Sequence, residues 1–285
     1  MVVFIGVGGG SDLASCEILS HSFPSRKCSF ITVMRPLTVS GVSDMTNTVL
    51  KYIGKPYMQS GTLQFARGEY AQYAVDENSE CGLYFRHKFK PNTIGILLGS
   101  SELFETSAGI VRDLFLSDPD RSLIAVDTGG DSLRSLVPGM GDQDISDVFD
   151  GSIDSRDADS LRLACEVVSG PVRLYVFGPG ADGETSQAGL DAACDWISSE
   201  SAKVNSQRCR FVDRIPITSL APFFPRVLQW ANPVPGSTIW NILRALDADA
   251  TTEISIIRRE KQVSTIQAKF LQHYWVFDIN CIDNK

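Results

Sequence analysis

Val2-Val3-Phe4-Ile5-Gly6-Val7-Gly8-Gly9-Gly10-Ser11-Asp12 opens the chain and runs on into Leu13-Ala14-Ser15-Cys16-Glu17-Ile18-Leu19. The short apolar run reads as a strand buried on both faces. The glycines let the chain turn sharply and bring bare backbone N–H groups close to whatever lies above the strand. Leu13, Cys16 and Ile18-Leu19 then recur at helical spacing, with Ser11 or Asp12 as the N-cap. Strand, glycine turn and helix N-terminus together make a place for a small anionic group. Gly8, Gly9, Gly10 and Ser11 are the residues expected to hold it.

Working outward, the same strand-then-helix alternation recurs. Ser29–Met34 is a second buried strand, ending at Arg35-Pro36. Thr93–Leu98 is another, followed by Gly99-Ser100-Ser101-Glu102 and a helix with Ala108, Val111, Leu114 and Phe115 on one face. Ser122–Val126 runs into Asp127-Thr128-Gly129-Gly130-Asp131, and Val172–Phe177 into Gly178-Pro179-Gly180-Ala181-Asp182-Gly183-Glu184. Residues 160–168 and the stretch through Leu190, Ala193, Cys194 and Ile197 have helical patterns. The alternation predicts an α/β fold over residues 1–285, a single Rossmann-like domain with a doubly wound, mostly parallel sheet. Residues 36–92 interrupt it with polar, Gly- and Tyr-bearing pieces (Thr62–Ala66, Gln72–Val75, Leu83–Phe89) that read as short hairpin strands. They are either a β-rich lid insertion over the strand ends or an edge meander. Further on, 227–246 reads as helix broken at Pro233-Val234-Pro235-Gly236, Thr252–Ile257 as strand, Val263–Leu271 as helix and His273–Ile279 as a last strand.

Composition narrows the function classes. The chain of 285 residues is 43% hydrophobic and 21% charged, with a formal charge of −8. That balance argues against an extended nucleic-acid surface, which needs clustered Lys and Arg. No apolar run approaches the roughly 20 residues of a membrane span, and no basic leader is seen, so neither a membrane partner nor a signal peptide is expected. Seven scattered cysteines without a CxxC pair suit free thiols in the cytoplasm rather than a zinc ribbon or a disulfide framework.

The chemistry-bearing pattern is the shared ending of four strands: an apolar run, small residues, then a carboxylate. Asp12, Glu102, Asp131 and Asp182 are those acids, with Asp127 and Glu184 beside them. In an open parallel sheet such endings converge on one crevice. Gathered carboxylates either hold a cation or share protons, and Mg²⁺, with its preference for oxygen ligands and substrate phosphates, is the simplest cation. Asp12, Asp131 and Asp182 are the expected metal ligands, Asp127 or Glu184 the general base, and Gly129, Gly130 and Gly180 further contacts to the ligand. Plainer readings exist for each: helix caps for Asp12 and Asp182, a tight turn for Asp127 and Asp131, and the helix dipole for Glu102.

Other motifs are weaker. Gly6 and Gly8 match the dinucleotide fingerprint, but Ser11 stands at its third glycine and Arg35 where an acid serves NAD; Arg35 would instead suit the 2′-phosphate of NADP. No GxSxG or Walker signature occurs, and His21, His87 and His273 sit in unrelated places. Arg258-Arg259-Glu260-Lys261 is the densest basic group and reads as a surface turn.

Three segments, Ile5–Asp12, Val126–Asp131 and Phe177–Glu184, resemble in order and spacing a mainly archaeal and bacterial family catalogued as the domain of unknown function numbered 1152. Ser155 and Asp159 resemble a further element of it, with Arg156 in place of a proline. The resemblance implies a Rossmann-like fold and one site shared by Asp12, Asp131, Asp182 and Glu184, and it implies no substrate. The expected function is a metal-assisted hydrolase or group transferase acting on a small phosphorylated, nucleotide or sugar-type metabolite. The alternatives are a non-catalytic nucleotide-binding module and an NADP-dependent oxidoreductase.

Overall fold

The computed structural model describes residues 1–7, 10–34, 58–59, 62–63, 93–97, 105, 108–109, 111–112, 121–133, 155–168, 172–199, 209–231, 235–258 and 261–279. Its centre is the opening strand, β1 (Val2–Gly6), where Val2, Val3, Phe4 and Ile5 are fully buried. Burial of each contributes roughly 1.5–3 kcal/mol. β2 (Cys28–Met34) and β6 (Ser122–Thr128) pair with it in parallel, one on each side, with Phe4 level with Phe30 and Ile124. The two-residue strands β3 (Met58–Gln59) and β4 (Thr62–Leu63) pair only with each other. They are the described part of the 36–92 region; the Gln72–Val75 and Leu83–Phe89 pieces lie outside the described residues.

β5 (Thr93–Leu97) adds in parallel outside β2, and β7 (Val172–Phe177) outside β6. β8 (Cys209–Pro216) and β11 (His273–Ile279) complete a seven-stranded sheet in the order β5-β2-β1-β6-β7-β11-β8. β11 is antiparallel to both neighbours, so six strands share one direction and one opposes them. The fold is therefore mixed α/β with a mostly parallel sheet. Consecutive strands step one way from β1 to β5 and the other way from β6 onward, so the reversal falls between β1 and β6. Their carboxyl ends, Gly6 and Thr128, flank that point.

Helix α1 (Gly10–Ser20) packs on β1, β2 and β6. Its other side is covered by a 3₁₀ segment (Ile217–Phe223), α4 (Phe224–Ala231) and α5 (Thr238–Ala245). This sandwich buries even Glu17 and Ser15, and the His21 ring stacks on Phe223 at 4.5 Å, a structural role. α2 (Ser155–Val167) packs against β1 and β6, and α3 (Gln187–Ser198) follows β7. Ala108 and Val111 are buried and helical, as their spacing predicts.

One element differs from its sequence pattern. Residues 263–271 read as helix, yet β10 (Lys261–Gln267) pairs antiparallel with β9 (Glu253–Arg258), and only Ala268–Leu271 makes a helical turn, α6. The β-branched Val263, Thr265 and Ile266 suit a strand once a partner is beside them. The register slips between Gln262 and Ser264, leaving Val263 at a bulge.

Candidate functional site

The loops after β6 and β7 meet at the carboxyl ends of those strands, one strand over from the reversal between β1 and β6. After Asp127-Thr128 the chain turns on Gly129 and Gly130, with φ of 115° and 92°. Asp127 organises that turn. Its Oδ1 accepts from the Gly130 N–H at 3.4 Å, and its Oδ2 from the Ser132 N–H at 3.2 Å and the Ser132 hydroxyl. Burial pushes its carboxyl well above the ordinary value, the charges of Asp131 and Asp12 push further, and the Ser132 hydrogen bond opposes them.

The second loop is stitched to the first. The Gly129 N–H donates to the Phe177 carbonyl at 2.9 Å, and the Gly180 N–H to the Gly129 carbonyl. Asp182 lies over Gly129, where a Cβ would stand 2.6 Å from the Asp182 Cγ and 2.7 Å from its Oδ2. Only a glycine admits that approach. Asp182 Oδ1 accepts from the Glu184 N–H at 2.9 Å. Its Oδ2 is buried with no hydrogen-bond partner among the described residues, although the side chain is only 8% exposed. Burial raises the Asp182 carboxyl well above its usual range, with Asp131 and Glu184 adding to this; Arg258 and the Glu184 N–H act the other way.

Asp131, Asp182 and Glu184 each offer one oxygen, all within 4.8 Å of one another, and this cluster is able to hold a metal ion. Glu184 also pairs with the Arg258 guanidinium, whose Nη1 donates to the Asp182 carbonyl at 3.3 Å. Arg258 ends β9, and the β9–β10 hairpin presses on the same loop. A Cβ on Gly183, at φ of 78°, would stand 2.2 Å from Val263 Cγ2. Asn241 on α5 pins loop and hairpin together: its Nδ2 donates to the carbonyls of Ala181 and Ile257, both at 2.9 Å, and its Oδ1 accepts from the Ile257 N–H at 3.3 Å.

The expected residues thus take different places. Asp131, Asp182 and Glu184 converge. Asp12 sits inside the first turn of α1, which begins at Gly10, and braces the helix to β6: its Oδ1 accepts from the Thr128 N–H at 2.7 Å. Neither Asp12 nor Asp182 is an N-cap; Ser186 caps α3, accepting from the Gly189 N–H at 3.1 Å. The N–H groups of Gly129, Gly130 and Gly180, expected to meet the ligand, are bonded within the loops. Gly8, Gly9, Arg35, His87 and Glu102 lie outside the described residues. Arg258 and Asn241 were not singled out as site residues. For Asn241 there was a signal, a polar residue on an otherwise apolar helix face between Ile239 and Ile242; for Arg258 the signal was the basic group 258–261, read as a surface turn.

The chain matches no protein-family model and no curated protein.

Proposed function

We propose that this protein is a Mg²⁺-assisted hydrolase or group transferase, acting on a small phosphorylated, nucleotide or sugar-type metabolite at the carboxyl ends of β6 and β7. The observation that carries the reading is the buried Oδ2 of Asp182, without a hydrogen-bond partner among the described residues, on a carboxylate that clusters with Asp131 and Glu184. A buried carboxylate oxygen without a donor is costly unless a cation or a shared proton completes it, and a cation serves all three carboxylates at once. The strand order around β1 supports a Rossmann-like, doubly wound sheet, in which ligands bind at the reversal of strand order.

In this reading Asp131, Asp182 and Glu184 hold the ion, which when bound supplies charge neutralisation and an oriented water. Asp127 fixes the turn that aims Asp131 and keeps the loop closed. Asp12 holds the N-terminus of α1 against the end of β6. The scattered cysteines, with no CxxC pair, suit a cytoplasmic protein.

One observation favours a second reading, a binding module without turnover: Asp127 is held on both oxygens and Glu184 by Arg258, so both expected bases are engaged. A thermal-shift screen against nucleotides and sugar phosphates, each with and without Mg²⁺ or Mn²⁺, tests the first reading. A metal-dependent shift in the wild type that Asp182→Asn abolishes supports it. A metal-dependent shift that survives Asp182→Asn overturns the site. Turnover of the stabilising ligand separates enzyme from binding module.

A further inference from the structure

We propose that Arg258 is the built-in counter-ion of the acid cluster and that, once a divalent cation replaces it there, its guanidinium binds the phosphoryl oxygens of the ligand. This rests on the metal-site reading above, and it assigns that site an anionic, phosphate-bearing substrate class.

The cluster gathers three carboxylates within 4.8 Å, and Arg258 sets one positive charge against them through Glu184. That pairing offsets part of the cluster's charge, while Asp182 Oδ2 has no hydrogen-bond partner among the described residues. A doubly charged ion offsets more of the cluster than one guanidinium does, so it competes for Glu184 on favourable terms.

The second line of support is the backbone. Phosphate sites on such loops commonly use bare N–H groups. Here the N–H groups of Gly129, Gly130, Gly180, Ala181, Gly183 and Glu184 all donate within the two loops. Those six amides are not on offer to an anion, which favours a side chain as the positive partner among the described residues of these two loops. Among the described residues, Arg258 is a cation that acts on Asp182. Its planar fork matches a phosphoryl group in a way an ammonium does not.

The third is mechanical. Arg258 ends the first strand of a hairpin whose backbone is fixed by Asn241 and by Val263 against Gly183. Its side chain is 23% exposed. A partly exposed arginine on a pinned strand can exchange partners without moving the strand.

The experiment measures Mn²⁺ binding alone, then inorganic phosphate binding with Mn²⁺ present, in wild type, Arg258→Met and Arg258→Lys. Arg258→Met is expected to bind Mn²⁺ alone about tenfold more tightly, since a competing charge is gone, and to lose the phosphate binding that the wild type shows. Arg258→Lys is expected to keep wild-type Mn²⁺ affinity and lose most of the phosphate binding, and it carries the test if Arg258→Met does not fold. Unchanged Mn²⁺ affinity in Arg258→Met, or phosphate binding undiminished in either variant or missing from the wild type, overturns the proposal. Asp182→Asn is the separate control: Mn²⁺ binding that survives it removes the metal site itself, whatever Arg258 does.

Discussion

Gly129 and Asp182, 53 positions apart in the chain, are in contact at the point where two strand ends meet: no side-chain atom fits on the Gly129 Cα without displacing the Asp182 carboxylate. Gly129 also holds φ at 115°, which L-residues rarely adopt. Gly129→Ala is therefore expected to cost about 1–3 kcal/mol for backbone strain, before any clash. It should also abolish metal-induced stabilisation. Denaturant unfolding with and without Mn²⁺ checks both; an alanine variant with wild-type stability and metal response would show that Asp182 does not need this approach.

Asp131 is the neighbouring charge that most disfavours ionisation of both Asp127 and Asp182. Removing it relieves like-charge repulsion in the metal-free protein. Asp131→Asn is expected to raise stability without metal by about 1 kcal/mol, roughly 2 °C in Tm, and to eliminate the shift on adding Mn²⁺. Stability gained as metal response is lost marks a site kept at a cost to the fold. A lowered Tm without metal would instead assign Asp131 to the turn.

Asn241 is 1% exposed and makes three hydrogen bonds that join the Asp182 loop to β9. Asn241→Ala leaves the Ala181 carbonyl and both backbone groups of Ile257 without these partners. The expected cost is about 2–4 kcal/mol, since each buried unsatisfied group costs about 1–3. Hydrogen exchange should show the 253–267 hairpin opening more readily than the sheet. Protection lost uniformly across the sheet would contradict a local role for Asn241.

The far edge of the sheet supplies a pH signature. Asp278 on β11 accepts from Arg173 Nε at 3.0 Å and Arg210 Nη2 at 2.7 Å. Burial pushes its carboxyl up, but the hydrogen bonds and charges of Arg210 and Arg173 outweigh this and hold it below the ordinary value. A carboxyl depressed on folding contributes stability above its unfolded value, about 3.9, and that contribution is lost as pH falls through the folded value. Both arginines are about half exposed, so the contribution at neutral pH is under about 1 kcal/mol. Asp278→Asn should lower stability above pH 5 by up to about 1 kcal/mol and leave it nearly unchanged at the acid end, so that the loss on acidification is shallower than in the wild type. An unaltered acid limb would show that other carboxylates govern it.

The local sequence was sufficient for elements whose apolar pattern stands by itself. Val172–Phe177 and His273–Ile279 are strands as read, because runs that apolar must be covered wherever they lie. β8 was not picked out because Cys209–Pro216 interleaves charged and apolar residues, as an edge strand with exposed positions does. β10 was misjudged as helix because a strand's identity depends on its partner, and Glu253–Arg258 supplies it from outside the window in which periodicity is read.

At the site the division is sharper. The sequence by itself determined that glycines and acids follow the strands, and hence that Asp131, Asp182 and Glu184 lie at one end of the sheet, because parallel strands all present their carboxyl ends on the same side. Only the tertiary structure decided which acids remain available. Asp12 is engaged by a backbone N–H 116 positions away, Asp127 by its own turn, and Glu184 by an arginine 74 positions on. Hydrogen bonds and charges act through space over a few ångströms, so a carboxylate's partner is set by which loops the packed sheet brings together, and no spacing along the chain records it.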